Sequence, residues 1–206
     1  MKGQMFLLTA AIIVTVLISL KAYVNLQQIS NQRDILNVNL DNLVFQNIVN
    51  EITNVLKYSS LTPNVMSDNA VDFINFTRNG TQHEGYTLNG IFVGAKVNST
   101  NQTMNITVLN FRNENGVNFT VKLNTSSPQI NYTTLNDFNL WTNNFTFTKG
   151  DTYNLTISLP DKGYEQNITI QTKENKDVYV GFYDFKLSTE NAVYRKIFQQ
   201  TFKIPK

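Results

Sequence analysis

The sequence predicts an α+β protein, in which a long N-terminal helix (membrane anchor and stalk) precedes an antiparallel, immunoglobulin-like β-sandwich. Residues 4–62 contain neither proline nor glycine, the two strongest helix breakers, and the first third of that stretch is apolar. From Tyr86 onward apolar and polar residues alternate, which is typical of strands. We therefore divide the chain into a membrane-anchoring long helix (1–62), a linker with a short helix (63–84) and an extracellular β-sandwich (85–206).

Composition narrows the class of protein. A chain of 206 residues holds one ordinary domain plus an appendage. It has no cysteine, so neither disulfides nor cysteine metal sites contribute. The net charge of +2 and the scattered basic residues argue against a nucleic-acid partner. Charged residues make up only 16% of the chain, and thirty asparagines make its surface polar but largely uncharged.

The apolar run Met5–Leu20 carries no charge and is bracketed by Lys2 and Lys21. As a helix it spans about 24 Å, slightly less than a hydrocarbon core of about 30 Å, and Lys21 can reach the interface. We interpret the run as a retained membrane anchor. A cleaved secretory signal and a buried core helix are the alternatives, although Ser19–Ala22 is a poor cleavage site.

Beyond Tyr23 the chain keeps a helical pattern. One helix from about Gln4 to Tyr58 would be about 80 Å long, although Asp34 could cap a second helix after a break at residues 30–34. The apolar stripe either docks on the protein's own outer domain or packs against neighbouring subunits. Pro63 ends the helix. The stripe consists of Leu36, Leu40, Leu43, Val44, Ile48, Ile52, Val55 and Leu56.

The linker predicts a short helix over Asp68–Phe76 and a turn at Asn79-Gly80. Eight strands follow, separated by turns such as Asn115-Gly116, and this spacing is typical of a β-sandwich. We expect Trp141 and most phenylalanines in its core. The predicted strands are Tyr86–Val97, Thr103–Phe111, Val117–Leu123, Phe145–Thr148, Tyr153–Leu159, Asn167–Thr172, Val178–Leu187 and Val193–Ile204.

Eleven asparagines begin an Asn-x-Ser/Thr triplet, and they are candidate glycosylation sites. All lie among the 18 asparagines of residues 75–167, whereas the 12 elsewhere form none. The alternative explanation is that the exposed face of each strand consists mainly of Asn and Thr. Because positions i and i+2 of a strand share a face, such a strand contains Asn-x-Thr triplets without any glycosylation. The candidates are Asn75, Asn79, Asn98, Asn101, Asn105, Asn118, Asn124, Asn131, Asn144, Asn154 and Asn167.

Catalytic chemistry has little support in the sequence. His83 is the only histidine, which excludes histidine-based triads and zinc sites with two or more histidines. Acidic residues are dispersed, and no glycine-rich phosphate loop is present. We therefore expect no enzyme, no cofactor, no metal and no catalytic residue. A secreted enzyme acting on sugars remains a third alternative.

The junction Lys2-Gly3-Gln4, directly followed by the apolar run, resembles the class III signal of archaeal type IV pilin-like proteins. The resemblance covers the first sixty residues. It implies that a prepilin peptidase cuts between Gly3 and Gln4 and that the helix packs into a filament core. Many pilins carry glutamate at the fifth mature position, where this chain has Leu8.

The resemblance implies a structural or adhesive cell-surface protein, a major or minor type IV pilin-like subunit with its β-sandwich outside the cell. Its partners would be the membrane and further copies of the chain in a homo-oligomer or filament, with no nucleic acid. The alternative is a monomeric, membrane-tethered extracellular module that binds an envelope component or a partner protein. The absence of the acid at Leu8 favours this alternative.

Overall fold

The structure is a computed structural model that describes residues 21, 40–59, 65–125, 127–147, 152–171, 177–190 and 192–204. The chain divides into two compact units, Met1–Val44 and Phe45–Lys206. In the first unit, the described residues 21 and 40–44 are helical. The second unit contains all the strands and is described below by itself.

Two helices and nine strands make up the described part of the second unit. Helix α1 comprises residues 45–59, and helix α2 is Met66–His83. A single 3₁₀ turn, Pro160–Lys162, precedes β7. The strands are β1 (Thr87–Asn98), β2 (Thr103–Phe111), β3 (Val117–Asn124), β4 (Gln129–Leu135), β5 (Asn139–Thr146), β6 (Thr152–Leu159), β7 (Tyr164–Gln171), β8 (Val178–Ser188) and β9 (Val193–Lys203).

The strands form two antiparallel sheets, which agrees with the predicted β-sandwich. The larger sheet has the order β5-β2-β1-β8-β9, and the smaller has the order β4-β3-β6-β7. This is not the seven-stranded arrangement of a simple immunoglobulin domain. The hairpin β8–β9 extends the larger sheet beyond β1, which pairs with β8 along its whole length.

The inner faces of the two sheets enclose one hydrophobic core. Val93 and Ile106 of the larger sheet and Val121 and Ile157 of the smaller one are at most 1% exposed. The strands that line this core contribute alternate residues, because neighbouring side chains point to opposite faces. Trp141 packs against this core, as predicted, and Phe145 is fully buried within it.

A second core lies on the other face of the larger sheet, which α1 and α2 cover. Strands β1 and β8 are therefore buried on both faces. Leu56 of α1 lies against Gly181, and the ring centroids of Phe45 and Tyr194 are 6.0 Å apart. The later part of the predicted stripe, which includes Ile52 and Leu56, thus docks on the protein's own sheet, whereas Leu40 and Leu43 are 57% and 58% exposed.

The pairing of Gly94 with Gly181 makes close helix packing possible. A Cβ atom at Gly94 would lie 2.8 Å from Oγ of Ser67 in α2, and one at Gly181 would lie 2.8 Å from Cδ1 of Leu56 in α1. Both distances are shorter than real Cβ contacts. The two glycines therefore form a flat site on the sheet where both helices can approach the backbone.

The predicted fold class is wrong in its helical half. The described residues show a mainly antiparallel β fold with two short helices, in place of a long N-terminal helix acting as anchor and stalk. Among these residues no helix combines the length and apolarity that a membrane span requires. The expected transmembrane, pilin-like architecture is corrected accordingly. The apolar run Met5–Leu20 itself lies outside the described residues.

Three local predictions are also corrected. Helix α2 continues to His83, so Asn79-Gly80 is helical and not a turn. Strand β4 was not predicted, and β5 begins six residues before the predicted Phe145. Asn115-Gly116 does separate two strands, as predicted, but these are β2 of one sheet and β3 of the other, so the connection is not a hairpin turn.

Candidate functional site

A solvent-open cleft of about 500 Å³ lies at one end of the sandwich, and we call it the end cleft. It is bordered by the start of β1, the β2–β3 connection, the 3₁₀ turn, β8 and the start of β9. Most of its polar groups come from connections and strand ends. Its charged and phenolic lining residues are Arg112, Glu114, Lys162, Tyr164, Asp184, Lys186 and Arg195.

Asp184 and Arg195 form a paired group on one wall of the end cleft. Asp184 is 5% exposed and accepts two hydrogen bonds, from Nε of Arg195 at 2.8 Å and from Nη2 at 2.7 Å. The hydrogen bond to Asp184 raises the pKa of Arg195. This two-point contact fixes the guanidinium plane, while about half of the Arg195 side chain stays exposed to solvent.

Tyr164 brings a buried hydroxyl group to the same wall. It begins β7 directly after Gly163, whose φ of 61° is in the left-handed region that glycine tolerates. Burial raises the pKa of Tyr164 well above its usual value, and the charge of Asp184 raises it further. Among the described residues, its hydroxyl has no hydrogen bond of normal geometry.

The end cleft also holds a second ion pair and two further cations. Nζ of Lys162 lies 3.2 Å from Oε2 of Glu114. Arg112 and Lys186 also line the end cleft, and neither forms an ion pair within the described chain. Four cationic and two anionic side chains therefore meet there, which leaves a surplus of two positive charges.

Asn110 organises the connection that carries Arg112 and Glu114. It is fully buried, and its Nδ2 lies within 3.2 Å of the main-chain oxygens of Glu114, Leu135 and Asn136. Its Oδ1 accepts a hydrogen bond from the backbone N–H of Arg112 at 3.3 Å. One amide group thus ties the β2–β3 connection to the β4–β5 connection and positions one wall of the end cleft.

Helix α2 reinforces the same two connections through Arg78. The guanidinium donates hydrogen bonds to Asp137 and Asn113, and it also lies over the ring of Phe138, 5.4 Å from its centroid. Asp137 in turn accepts a hydrogen bond from the backbone N–H of Asn113 at 2.8 Å. These contacts therefore join the two connections beside the end cleft to each other and to α2.

Gly90 sets the depth of the end cleft. A Cβ atom at this position would clash with the main-chain oxygen of Asp184 and lie 2.9 Å from the ring of Phe111. Only glycine allows β1 and β8 to approach so closely here. The close approach places the Asp184–Arg195 pair at the wall of the end cleft.

The surplus of positive charge suits this arrangement to an anion. Within the described residues, no group of three or more histidines, cysteines, aspartates and glutamates could hold a metal ion. His83 lies exposed at the end of α2, away from the residues that line the end cleft. The Asp184 carboxylate is already paired, and the cations around the end cleft dominate its field.

No family model and no curated protein matches this chain. The predicted processing residues Gly3 and Gln4 lie outside the described residues, and the pilin resemblance stays a prediction.

The eleven triplet asparagines all reach the surface. Seven are exposed and four are partly exposed; none is buried, whereas Asn110, which begins no triplet, is fully buried. The exposed ones are Asn75, Asn79, Asn101, Asn118, Asn144, Asn154 and Asn167, and the partly exposed ones are Asn98, Asn105, Asn124 and Asn131. Every candidate glycosylation site is thus accessible, and their modification stays a prediction.

Several of these asparagines also hydrogen-bond across strands on the outer face of the smaller sheet. Thr156 Oγ1 donates to Asn167 at 2.7 Å and accepts from Asn124 Nδ2 at 3.1 Å. Thr134 Oγ1 donates to Asn118 at 2.8 Å. These bonds form an Asn/Thr ladder, as the alternative explanation of the triplets expects. The same asparagines are therefore both accessible to modification and hydrogen-bonded to neighbouring strands.

Sequence reasoning did not predict the end cleft. Arg112, Lys186 and Arg195 are far apart in the sequence, and the pairing of β1 with β8 and of β8 with β9 brings the last two to the site. Only Asn110 could have been recognised from the sequence. It lies between Leu109 and Phe111 in an apolar strand, and an asparagine in such a position indicates a buried polar contact.

Proposed function

We propose that this protein is a structural or adhesive module of the cell surface and not an enzyme. The observation that carries the proposal is the surface position of all eleven asparagine triplets on an otherwise well-packed sandwich. Uncharged amides and hydroxyls occupy most outward positions of β3, β6 and β7, whereas the edge strand β4 presents Ile130 and Tyr132 outward. Such a face supports glycan attachment and weak, repeated polar contacts, which suit a surface coat or an adhesive layer.

A second candidate is a single-copy binding module exposed outside the cell. The end cleft favours it, because a preorganised cationic site is of use to a protein that recognises a partner. Electron microscopy of the purified full chain separates the two candidates. Filaments or sheets of the protein support the structural role, whereas dispersed single particles support the binding module.

Surface location is tested on intact cells with a membrane-impermeant amine-labelling reagent. The accessible targets include Lys122 and Lys186, the first partly exposed and the second exposed. Labelling of the protein in intact cells, without labelling of an internal control protein, supports the proposal. Labelling that appears only after cell lysis refutes it.

Two further measurements on native material address its processing and modification. N-terminal sequencing that begins at Gln4 supports cleavage by a prepilin peptidase, whereas a start after Leu20 contradicts it. Intact mass spectrometry reports glycan mass directly. A mass equal to that of the bare polypeptide removes the glycan part of the proposal.

A further inference from the structure

Charge balance makes the end cleft a receptor for an anion. Asp184 neutralises Arg195, and Glu114 neutralises Lys162, both within the protein. Arg112 and Lys186 line the same 500 Å³ space and have no ion-pair partner in the described chain. Two like charges beside one cleft repel each other, and a bound anion would relieve that repulsion.

The donors in the end cleft are held in place before any ligand arrives. Asp184 engages Nε and Nη2 of Arg195, which leaves Nη1 available for another acceptor. Asn110 fixes the backbone of Arg112 through a hydrogen bond of 3.3 Å. Such preorganisation lowers the entropy cost of binding.

We propose that the end cleft binds the carboxylate of an acidic sugar residue in an anionic surface polysaccharide. Its volume lies in the range of about 300–1,000 Å³ found for small-ligand sites. The planar guanidinium of Arg112 matches a carboxylate, and the Asn89 amide suits sugar hydroxyl groups. The site is open to solvent, so the polymer can continue on either side of the bound residue.

A carboxylate fits this charge pattern better than a phosphate. Glu114 and Asp184 also face the end cleft, and their negative charges oppose a dianion more strongly than a monoanion. One carboxylate placed between Arg112 and Lys186 leaves the two internal ion pairs undisturbed. The inference deepens the proposed surface role, on which it rests, by naming the chemical class of the recognised polymer.

Calorimetric titration of the full chain tests the proposal with four probes: trigalacturonate, its methyl ester, inorganic phosphate and a sulfated oligosaccharide. We expect trigalacturonate to bind and the uncharged ester to bind at least about tenfold more weakly, the loss that one charge-assisted hydrogen bond predicts. Phosphate or the sulfated sugar binding as tightly as trigalacturonate would overturn the assignment to a carboxylate.

Three single-charge variants locate the site. Arg112→Gln and Lys186→Gln should each weaken trigalacturonate binding about tenfold. Lys122→Gln is the matched control, because this partly exposed lysine lies on the outer face of the smaller sheet and not in the end cleft. Circular dichroism confirms that each variant is folded. Equal weakening by Lys122→Gln would show a diffuse charge effect and overturn the proposal.

The binding experiments and the surface-labelling experiment can fail independently of each other. Surface labelling of cells does not depend on the end cleft, so a labelled protein that binds none of the probes refutes only the ligand assignment. A protein that is labelled only after lysis but binds trigalacturonate refutes the surface role and leaves the carboxylate site standing.

Discussion

Removal of the Leu56 side chain tests whether α1 is an integral layer of the folded unit. Leu56 is fully buried, and it packs on the glycine pair of the larger sheet. Leu56→Ala deletes three carbon atoms, which costs about 2.4 kcal/mol of transfer free energy at about 0.8 kcal/mol each. The cavity left against Gly181 raises the expected loss of unfolding free energy to about 3 kcal/mol.

The same contact allows a double-mutant cycle with Gly181. A methyl group at Gly181 would lie 2.8 Å from Cδ1 of Leu56, so Gly181→Ala alone should cost about 2 kcal/mol through overpacking. In the double variant, the new methyl group occupies part of the cavity. We therefore expect the loss of unfolding free energy in the double variant to be about 1 kcal/mol smaller than the sum of the two single losses. Some strain remains in the double variant, because the hydroxyl of Tyr183 lies 3.0 Å from the new methyl group.

Chemical denaturation of the full chain measures these values. Fluorescence of Trp141, the only tryptophan, reports the sandwich, and far-UV circular dichroism reports the helices. Tyr58→Ala is the matched control, since Tyr58 lies on the same helix and is 73% exposed. If Leu56→Ala and Tyr58→Ala both change the unfolding free energy by less than about 0.5 kcal/mol, the packing of α1 on the sheet is refuted.

Other predictions address the end cleft and the buried phenols. Gly90→Ala should destabilise the protein by about 2 kcal/mol or more in thermal unfolding, because the new methyl group would clash with the backbone of β8. Gly80→Ala is the control: it lies in open space on α2 and should stabilise the protein by about 0.5–1 kcal/mol. Equal effects of the two substitutions would contradict the close approach at Gly90. Asn110→Ala should cost about 3 kcal/mol in denaturant unfolding, because three backbone carbonyls and one N–H lose their shared partner; a loss below about 1 kcal/mol would argue against its organising role. Burial raises the pKa of three tyrosines in the folded state above the value of about 10 that they have in the unfolded chain. Their contribution to the free energy of unfolding is therefore complete below pH about 10, and above that pH it falls by up to about 1.4 kcal/mol per pH unit for each tyrosine. Tyrosinate absorbance should therefore rise together with alkaline unfolding, and complete ionisation in the folded protein would contradict this result. These tyrosines are Tyr164, Tyr179 and Tyr183.

Strands that are half-buried were predictable from the sequence. Val117–Asn124 alternates buried and more exposed residues along its whole length, so the hydrophobic pattern and the sheet agree. Strand β4 was missed because it is an edge strand whose outward face carries Ile130 and Tyr132, 44% and 77% exposed. Its inward face begins with Gln129 and Asn131, so the usual apolar signal is reversed over most of the strand.

The ends of the helices depended on tertiary contacts. Glycine and asparagine at residues 79–80 normally indicate a turn, but the buried Thr77 and Thr81 hold that part of α2 in helical conformation. The end cleft was beyond prediction for a related reason. Its charges converge only through the pairing and register of β1, β8 and β9, and the alternating pattern of one strand does not show which strand pairs with it.

The burial of α1 also restricts how copies of this protein can assemble. Five apolar side chains of α1, namely Phe45, Ile48, Val49, Ile52 and Leu56, are at most 7% exposed in the single chain. Peeling the helix away to offer them to a neighbouring copy would expose all five to water, at a cost on the order of 10 kcal/mol. Self-association must therefore use surfaces other than this buried face of α1.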